Sequence, residues 1–296
     1  MSLEFERRLA GDQKRIEEAL GAIFREDDRY ADLQEAMEYS LMAGGKRVRP
    51  VLTLECCRLC GGDPERALPF ACGVEMVHTY SLIHDDLPCM DNDELRRGKP
   101  TTWKVFGYDM AVLAGDALMI FAFETAAKAL KLGADPARVG RAIGLLAEKT
   151  GIYGMIGGQT VDVELTGKPV SEEQLDFIYR LKTGALLEAS MMIGAILAGA
   201  DENEIRKTEN IAADVGLAFQ IRDDILDIVS SANVLGKPVL SDEKNSKTTY
   251  VTLKGLEQAK TDVEEISHRA ASALESLPGE KEFLKQLIEM LVNREN

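Results

Sequence analysis

The sequence predicts an all-α fold, one bundle of about ten helices around a central cleft spanning residues 1–296, on three observations. Nearly every segment carries its apolar residues at helical period. Asn-Gly and Asp-Gly turns and alternating β-branched runs are absent. No Gly/Ser-rich or Pro-rich stretch is long enough to act as a linker between domains.

The elements follow in chain order. Gly44-Gly45 closes a helix that begins near Asp32, and Pro50 opens the next, because the first helical turn has no use for the N–H that proline lacks. A helix over about 65–86 is followed by a charged loop at 91–101, with Gly98 and Pro100, and then by a long apolar helix through Leu130. Pro136 starts another. Ser171-Glu172-Glu173-Gln174 is a capping-box pattern opening a helix to about Leu197, and Asp201 with Glu204 repeats it for a helix ending near Val229. Residues 230–247 lack periodicity and read as a loop, and 249–277 and 280–293 give two final helices. Gly115, Gly144, Gly154, Gly184, Gly194 and Gly216 inside these segments permit close helix packing.

With 35 basic and 50 acidic residues the formal charge is -15, so the surface should repel nucleic acid and anionic lipid, and an anionic ligand needs a local basic cluster. The charged start Met1-Ser2-Leu3-Glu4 is no secretory segment, and the apolar runs 191–200 and 110–113 are too short to cross a bilayer. A cytoplasmic protein without stable membrane insertion is expected. Five cysteines (Cys56, Cys57, Cys60, Cys72, Cys89) fit reduced thiols buried as small helix residues. The C-x-x-C of Cys57 and Cys60 has no second pair to complete a metal shell.

Two aspartate clusters dominate: Asp85-Asp86-Leu87-Pro88-Cys89-Met90-Asp91 and Asp223-Asp224-Ile225-Leu226-Asp227. Asp223 and Asp227, four apart, project from one helix face and can share cations. Asp91 would lie on another face than Asp85, but Pro88 cannot donate to the His84 carbonyl, so a helix break within 87–90 should return Asp91 toward Asp85. Neither cluster has the Asp/Asn alternation and glycine turn of a calcium loop. Magnesium takes one or two carboxylates each and fills its shell with water and phosphate oxygens, so two facing clusters would clamp a diphosphate. A solvated acidic face is the plainer reading of either cluster alone; their pairing, each among leucine and isoleucine, favours the clamp.

Cations supply the complement. Gly44-Gly45-Lys46-Arg47-Val48-Arg49-Pro50 and Arg96-Arg97-Gly98-Lys99 place basic side chains at turns and helix ends, where guanidinium forks and backbone N–H groups suit phosphate, although each run alone also reads as surface charge. Lys182, beside Thr183 in mid-helix, is costly unless it reaches an anion. Gln220, three residues before Asp223, and Lys237 and Lys247 in the loop can close the same site. His78 lies two turns before Asp85 and faces the same cleft, as a substrate contact or a structural histidine; His84 reads as packing.

In these motifs the chain resembles the trans-type isoprenyl diphosphate synthases, and within them the bacterial farnesyl diphosphate synthases. The likeness rests on His78-Thr79-Tyr80-Ser81-Leu82-Ile83-His84-Asp85-Asp86, with two extra residues before Asp91, then Arg96-Arg97-Gly98-Lys99-Pro100-Thr101, Gly158-Gln159-Thr160-Val161-Asp162, Lys182-Thr183, Phe219-Gln220 and the second cluster. It implies an isoprenoid-synthase fold, a homodimer, and Mg2+ as cofactor, about three ions per active site. It further implies that Lys46, Arg49, His78 and Arg97 hold isopentenyl diphosphate while Arg96, Lys182, Lys237 and Lys247 grip an allylic diphosphate. Asp85, Asp91 and Asp223 would be direct metal ligands, with Asp86, Asp224 and Asp227 ligating or supporting. The Lys182 carbonyl, Thr183 hydroxyl and Gln220 side chain would stabilise the allylic cation.

Tyr80, with Ser81 beside it, lies where an aromatic accompanies a fifteen-carbon product in that family and a small residue permits twenty. Leu240, where relatives commonly have glycine, and Trp103, where many have histidine, depart from the pattern. A geranylgeranyl diphosphate synthase, and from another class a non-catalytic partner subunit of a prenyl synthase, are the alternatives. A terpene cyclase would carry an Asn/Ser/Glu metal triad in place of the second cluster.

Overall fold

The computed structural model describes residues 1–24, 28–235 and 248–292. Helix α10 (Ala185–Ala198), buried along almost its whole length, is the axis around which α3 (Val48–Leu59), α4 (Pro64–Asp85), α7 (Pro136–Thr150) and α11 (Glu202–Leu235) pack. Its composition explains its place: Leu186, Met191 and Ile193 face outward in several directions, so no polar side is left for water. A Cβ at Gly194 would sit 2.4 Å from the Thr53 carbonyl oxygen, so α10 and α3 approach backbone to backbone there. Gly144, by contrast, meets nothing within 4 Å and serves no close packing.

The outer helices bury one stripe each. α1 (Leu3–Gly21), capped by the Ser2 hydroxyl on the Phe5 amide, turns Phe5, Ile16 and Leu20 inward, and α2 (Ala31–Leu41) turns Ala36, Met37 and Leu41. α6 (Tyr108–Ala127) lies along α4. One hydrophobic cluster runs from Phe5 to Val292. The chain closes with α12 (Tyr250–Lys254), α13 (Leu256–Leu274) and α14 (Glu282–Val292).

The all-helical architecture is as expected, and both capping boxes form: Ser171 with Gln174, and Asp201 with Glu204. Several boundaries differ. The long apolar helix is broken at Gly107, whose φ of 93° separates α5 (Thr102–Phe106) from α6, and it ends in a 3-10 turn, Lys128–Leu132. Gly255 at φ 84° divides α12 from α13 in the same way. α11 continues past Val229 to Leu235, so the first residues expected as loop are helical. The charged loop contains a hairpin, β1 (Leu95–Arg96) with β2 (Lys99–Pro100), which the sequence reading missed.

Charged residues also hid the length of two helical stretches. Tyr108–Leu132 and Glu172–Ala198 are long and apolar enough to cross a membrane by length and composition, although the runs between charges are short. The second is 72% buried inside the bundle; the first is only 39% buried. All five cysteines are free thiols, as expected, but Cys89 is exposed and accepts a bond from the Tyr108 hydroxyl at 3.1 Å.

Candidate active site

Helix α4 delivers the first aspartate cluster. The Asp86 amide bonds the Leu82 carbonyl and the Leu87 amide takes the His84 carbonyl, so the helix stops at Asp85, just before the expected break at 87–90. His84 therefore finds its donor before the missing N–H of Pro88 matters. The chain then returns as foreseen, and the Asp91 amide donates to the Asp85 carbonyl at 2.9 Å.

The two carboxylates at the helix end diverge. Asp86 is buried and accepts from Arg96 Nε at 2.7 and 2.9 Å, and Arg96 also reaches Asp93 at 3.7 Å. Arg96 is thus held on a carboxylate, and its partner fixes the hairpin to α4. Arg97 and Gly98 form the hairpin turn with φ of 53° and 75°, both left-handed, which matches a type I′ turn. This conformation is costly for an arginine, and it sends the Arg97 guanidinium back to the Gly44 carbonyl.

Asp85 points elsewhere. Its Oδ1 accepts from Gln159 Nε2 at 2.8 Å. Burial pushes its carboxyl up to about 6, against the pull of Lys182, with Asp91 and Asp86 adding to the rise. Gln159 belongs to α8 (Met155–Leu165), and three residues on, Asp162 accepts from Lys182 Nζ at 2.6 Å. The anion that justifies a lysine at 182 is therefore a carboxylate of this chain, and Lys182 is half-buried.

Lys182 and Thr183 sit in a π turn, Tyr179–Gly184, that interrupts the expected continuous helix between α9 (Glu172–Ile178) and α10. Such a turn widens the helix by one residue and is frequent at functional sites. α8 closes on it so tightly that a Cβ at Gly158 would lie 2.4 Å from the Lys182 amide nitrogen. Across the cleft the Thr183 hydroxyl donates to Gln220 Oε1 at 2.9 Å.

Two cavities result. The first, about 210 Å³, is lined among others by Asp162, Lys182, Thr183, Gln220, Asp223 and Asp227. The second, about 470 Å³, is lined by Lys46, Arg49, Glu75, His78, Arg97 and Phe219 among others. Phe219 and Gln220 are consecutive on α11, so the two cavities are neighbours. Burial, together with Arg49, Arg97, Arg96 and Arg47, holds the His78 imidazole well below its ordinary value, so it is neutral. Arg47 also lines the second cavity, but its guanidinium is buried and already engaged, donating to Glu75 at 2.6 Å and to the Leu41 carbonyl at 2.8 Å.

The remaining expected residues are placed as follows. Tyr80 is buried and meets the His84 ring edge-on at 5.8 Å. His84 packs against α6, its Nε2 3.2 Å from the Val112 carbonyl, in space that only a glycine at 115 leaves open. The Ser81 hydroxyl is satisfied by the His78 carbonyl of its own helix. Trp103 bonds the Asp93 carbonyl at 2.8 Å. Lys237, Lys247 and Leu240 lie outside the described residues. The sequence reading gave no role to Gln159, Asp162 or Tyr179. The spacing of Gln159 and Asp162, one helical turn apart, was the available signal for the first two; for Tyr179 there was none.

Carboxylates presented by two helices, a lysine on a π turn and an arginine-lined pocket alongside define a helical transferase acting on diphosphates. Residues 30–291 match the polyprenyl synthetase model, and the chain belongs to that family, as a prenyltransferase of trans-prenyl diphosphate synthase type with isoprenoid diphosphate substrates. It is 50% identical over 253 residues to the heterodimeric geranylgeranyl pyrophosphate synthase large subunit 1 of Arabidopsis thaliana, covering 84% of this chain and 68% of that one. It is 48% identical over 258 residues to the farnesyl diphosphate synthase of Geobacillus stearothermophilus, covering 87% of each. Among solved structures, an FPP/GFPP synthase from Zymomonas mobilis superposes with a TM-score of 0.88 at 34% identity, covering 99% of this chain and 100% of that one. The geranylgeranyl pyrophosphate synthetase of Pyrococcus horikoshii gives 0.89 at 33% identity and 98% coverage of both.

Proposed function

We propose that this chain is a magnesium-dependent farnesyl diphosphate synthase, condensing isopentenyl diphosphate with dimethylallyl and then geranyl diphosphate. The observation that carries the reading is the pair of adjoining cavities, one lined by carboxylates and Lys182, the other by Lys46, Arg49, His78 and Arg97.

The donor set suits magnesium. Among the described residues no three acidic, cysteine or histidine side chains converge, and an ion that completes its shell with water and diphosphate oxygens needs none. Half-buried Asp85 lacks a full counter-charge, and Gln159 Oε1 beside it is buried without a hydrogen-bond partner. Asp85, Asp91 and Asp223 would hold the ions. When bound, magnesium supplies positive charge that stabilises the leaving diphosphate.

The chain's own groups account for the rest. Lys46, Arg49, Arg97 and the neutral His78 grip the diphosphate of isopentenyl diphosphate and orient its double bond. Lys182 neutralises charge on the allylic diphosphate as the C–O bond breaks. The Thr183 hydroxyl spends its proton on Gln220, so oxygen lone pairs face the allylic cation and stabilise it without attacking. The double bond adds to the cation, and a proton lost to the departing diphosphate leaves a chain five carbons longer. Tyr80, five residues before Asp85 on α4, floors the pocket and stops growth at fifteen carbons.

A second reading, a twenty-carbon product, is favoured by the relatives at 50% identity, which are named geranylgeranyl pyrophosphate synthases. We also propose assembly as a homodimer, a reading supported by the exposed apolar residues of α6 and its 3-10 extension: Leu113, Ile120, Leu130 and Leu132. The test is to incubate the protein with isopentenyl and dimethylallyl diphosphates and identify the dephosphorylated products by mass. Farnesol supports the proposal, geranylgeraniol keeps the reaction but discards Tyr80 as the floor, and no product from any allylic starter indicates a non-catalytic subunit.

A further inference from the structure

Asp224 stands between two residues of the second aspartate motif, yet its carboxylate is only 6% exposed and is held by donors from two other elements. The Tyr179 hydroxyl donates to Oδ2 at 2.6 Å, and the Tyr250 amide donates to the same oxygen at 2.8 Å. Tyr179 is itself 8% exposed and is the first residue of the π turn that carries Lys182 and Thr183. Tyr250 opens α12, directly after Thr248 and Thr249, which line the first cavity. One carboxylate oxygen thus joins the lysine-bearing turn, the aspartate-bearing α11 and the start of α12.

We propose that Tyr179 is a positioning residue: through Asp224 it sets the register between Lys182–Thr183 on the π turn and Gln220, Asp223 and Asp227 on α11. A π turn has one residue more than the helix around it needs, so its place along α11 is not dictated by helix packing alone. A short bond from a buried phenol to a charged acceptor fixes it, because charge-assisted bonds in a dry site are strong and directional. The Thr183 to Gln220 bond at 2.9 Å lies one turn away on both elements and depends on that register. The inference rests on the reading of this cleft as the site of prenyl transfer.

The test compares wild type with Tyr179→Phe, which keeps the ring and removes only the donor. Isopentenyl and geranyl diphosphates give kcat and KM; inorganic pyrophosphate with Mg2+, titrated by calorimetry, gives affinity without chemistry. Tyr179→Phe should lower kcat and pyrophosphate affinity by about tenfold or more while the KM for isopentenyl diphosphate, bound in the other cavity, stays within about twofold. In an Asp224→Ala background the same substitution should cost no further pyrophosphate affinity, since its route is gone. Equal pyrophosphate affinity in wild type and Tyr179→Phe overturns the proposal, as does a full additional loss in the Asp224→Ala background. A wild-type protein without prenyl-transfer activity overturns the proposed function, and the calorimetric comparison then still decides the role of Tyr179. Matching thermal melts of wild type and Tyr179→Phe separate lost register from lost fold.

Discussion

Tyr80 is 5% exposed and its hydroxyl finds no hydrogen-bond partner; burial, and then Asp85, push the phenol up to about 12, so it stays neutral. A phenol that serves only as bulk makes two predictions. Tyr80→Phe removes an unsatisfied hydroxyl, so the protein gains about 1 kcal/mol in denaturant unfolding while the product keeps its length. Tyr80→Ala lengthens the product, read by mass; an unchanged product places the floor elsewhere. Asp85 gives a pH signature. Its folded carboxyl titrates at about 6, above the ordinary value of 3.8, so the fold holds a proton that the unfolded chain has released, and stability falls as pH rises through that window. In metal-free protein, Asp85→Asn should therefore raise the melting temperature near pH 8 and leave it unchanged near pH 3.5. A gain independent of pH would contradict the assignment. At this scale the sequence made the candidate aspartates legible through local rules, the four-residue spacing of Asp223 and Asp227 and the proline after Asp86. It could not show that Asp86 is taken by Arg96, or Asp224 by Tyr179, because those partners meet only through tertiary packing.

The elements that shape the cleft are the ones whose geometry departs from plain helix. Capping boxes at Ser171 and Asp201 were readable because a cap is written within four residues. The hairpin at Leu95–Arg96 was not, because an Arg-Gly turn lacks the usual hairpin dipeptide and the strands are two residues each. The π turn was not, because its residues carry an ordinary helical pattern and the extra residue is accommodated by contact with α8. That contact predicts the effect of removing it. Deleting exposed Arg180 restores plain α-helix between α9 and α10 while keeping the register on either side, so helicity by circular dichroism should hold while kcat falls by about 100-fold or more. Retained activity would show that the π turn does not place Lys182.

On the scale of the whole molecule, the bundle was legible because helical period pervades the chain, whereas the number of segments was not, since glycines at 107 and 255 divide helices whose apolar pattern runs on. Of the two described stretches apolar and long enough to cross a membrane, the one that begins with α6 is mostly unburied; it lays Leu113 and Ile120 on the outside, and Ile120 is 66% exposed. If a second copy covers this face, Ile120→Asp should shift the mass in light scattering from dimer toward monomer; an unchanged mass would place the interface elsewhere. The central claim concerns the cleft, and the incorporation of isopentenyl diphosphate tests it most directly. With labelled isopentenyl diphosphate and geranyl diphosphate, wild-type protein should form acid-labile allylic product only when Mg2+ is supplied, and Lys182→Ala should form at least about 100-fold less. Equal product from the Lys182→Ala variant, or undiminished product in the presence of a chelator, would contradict the account.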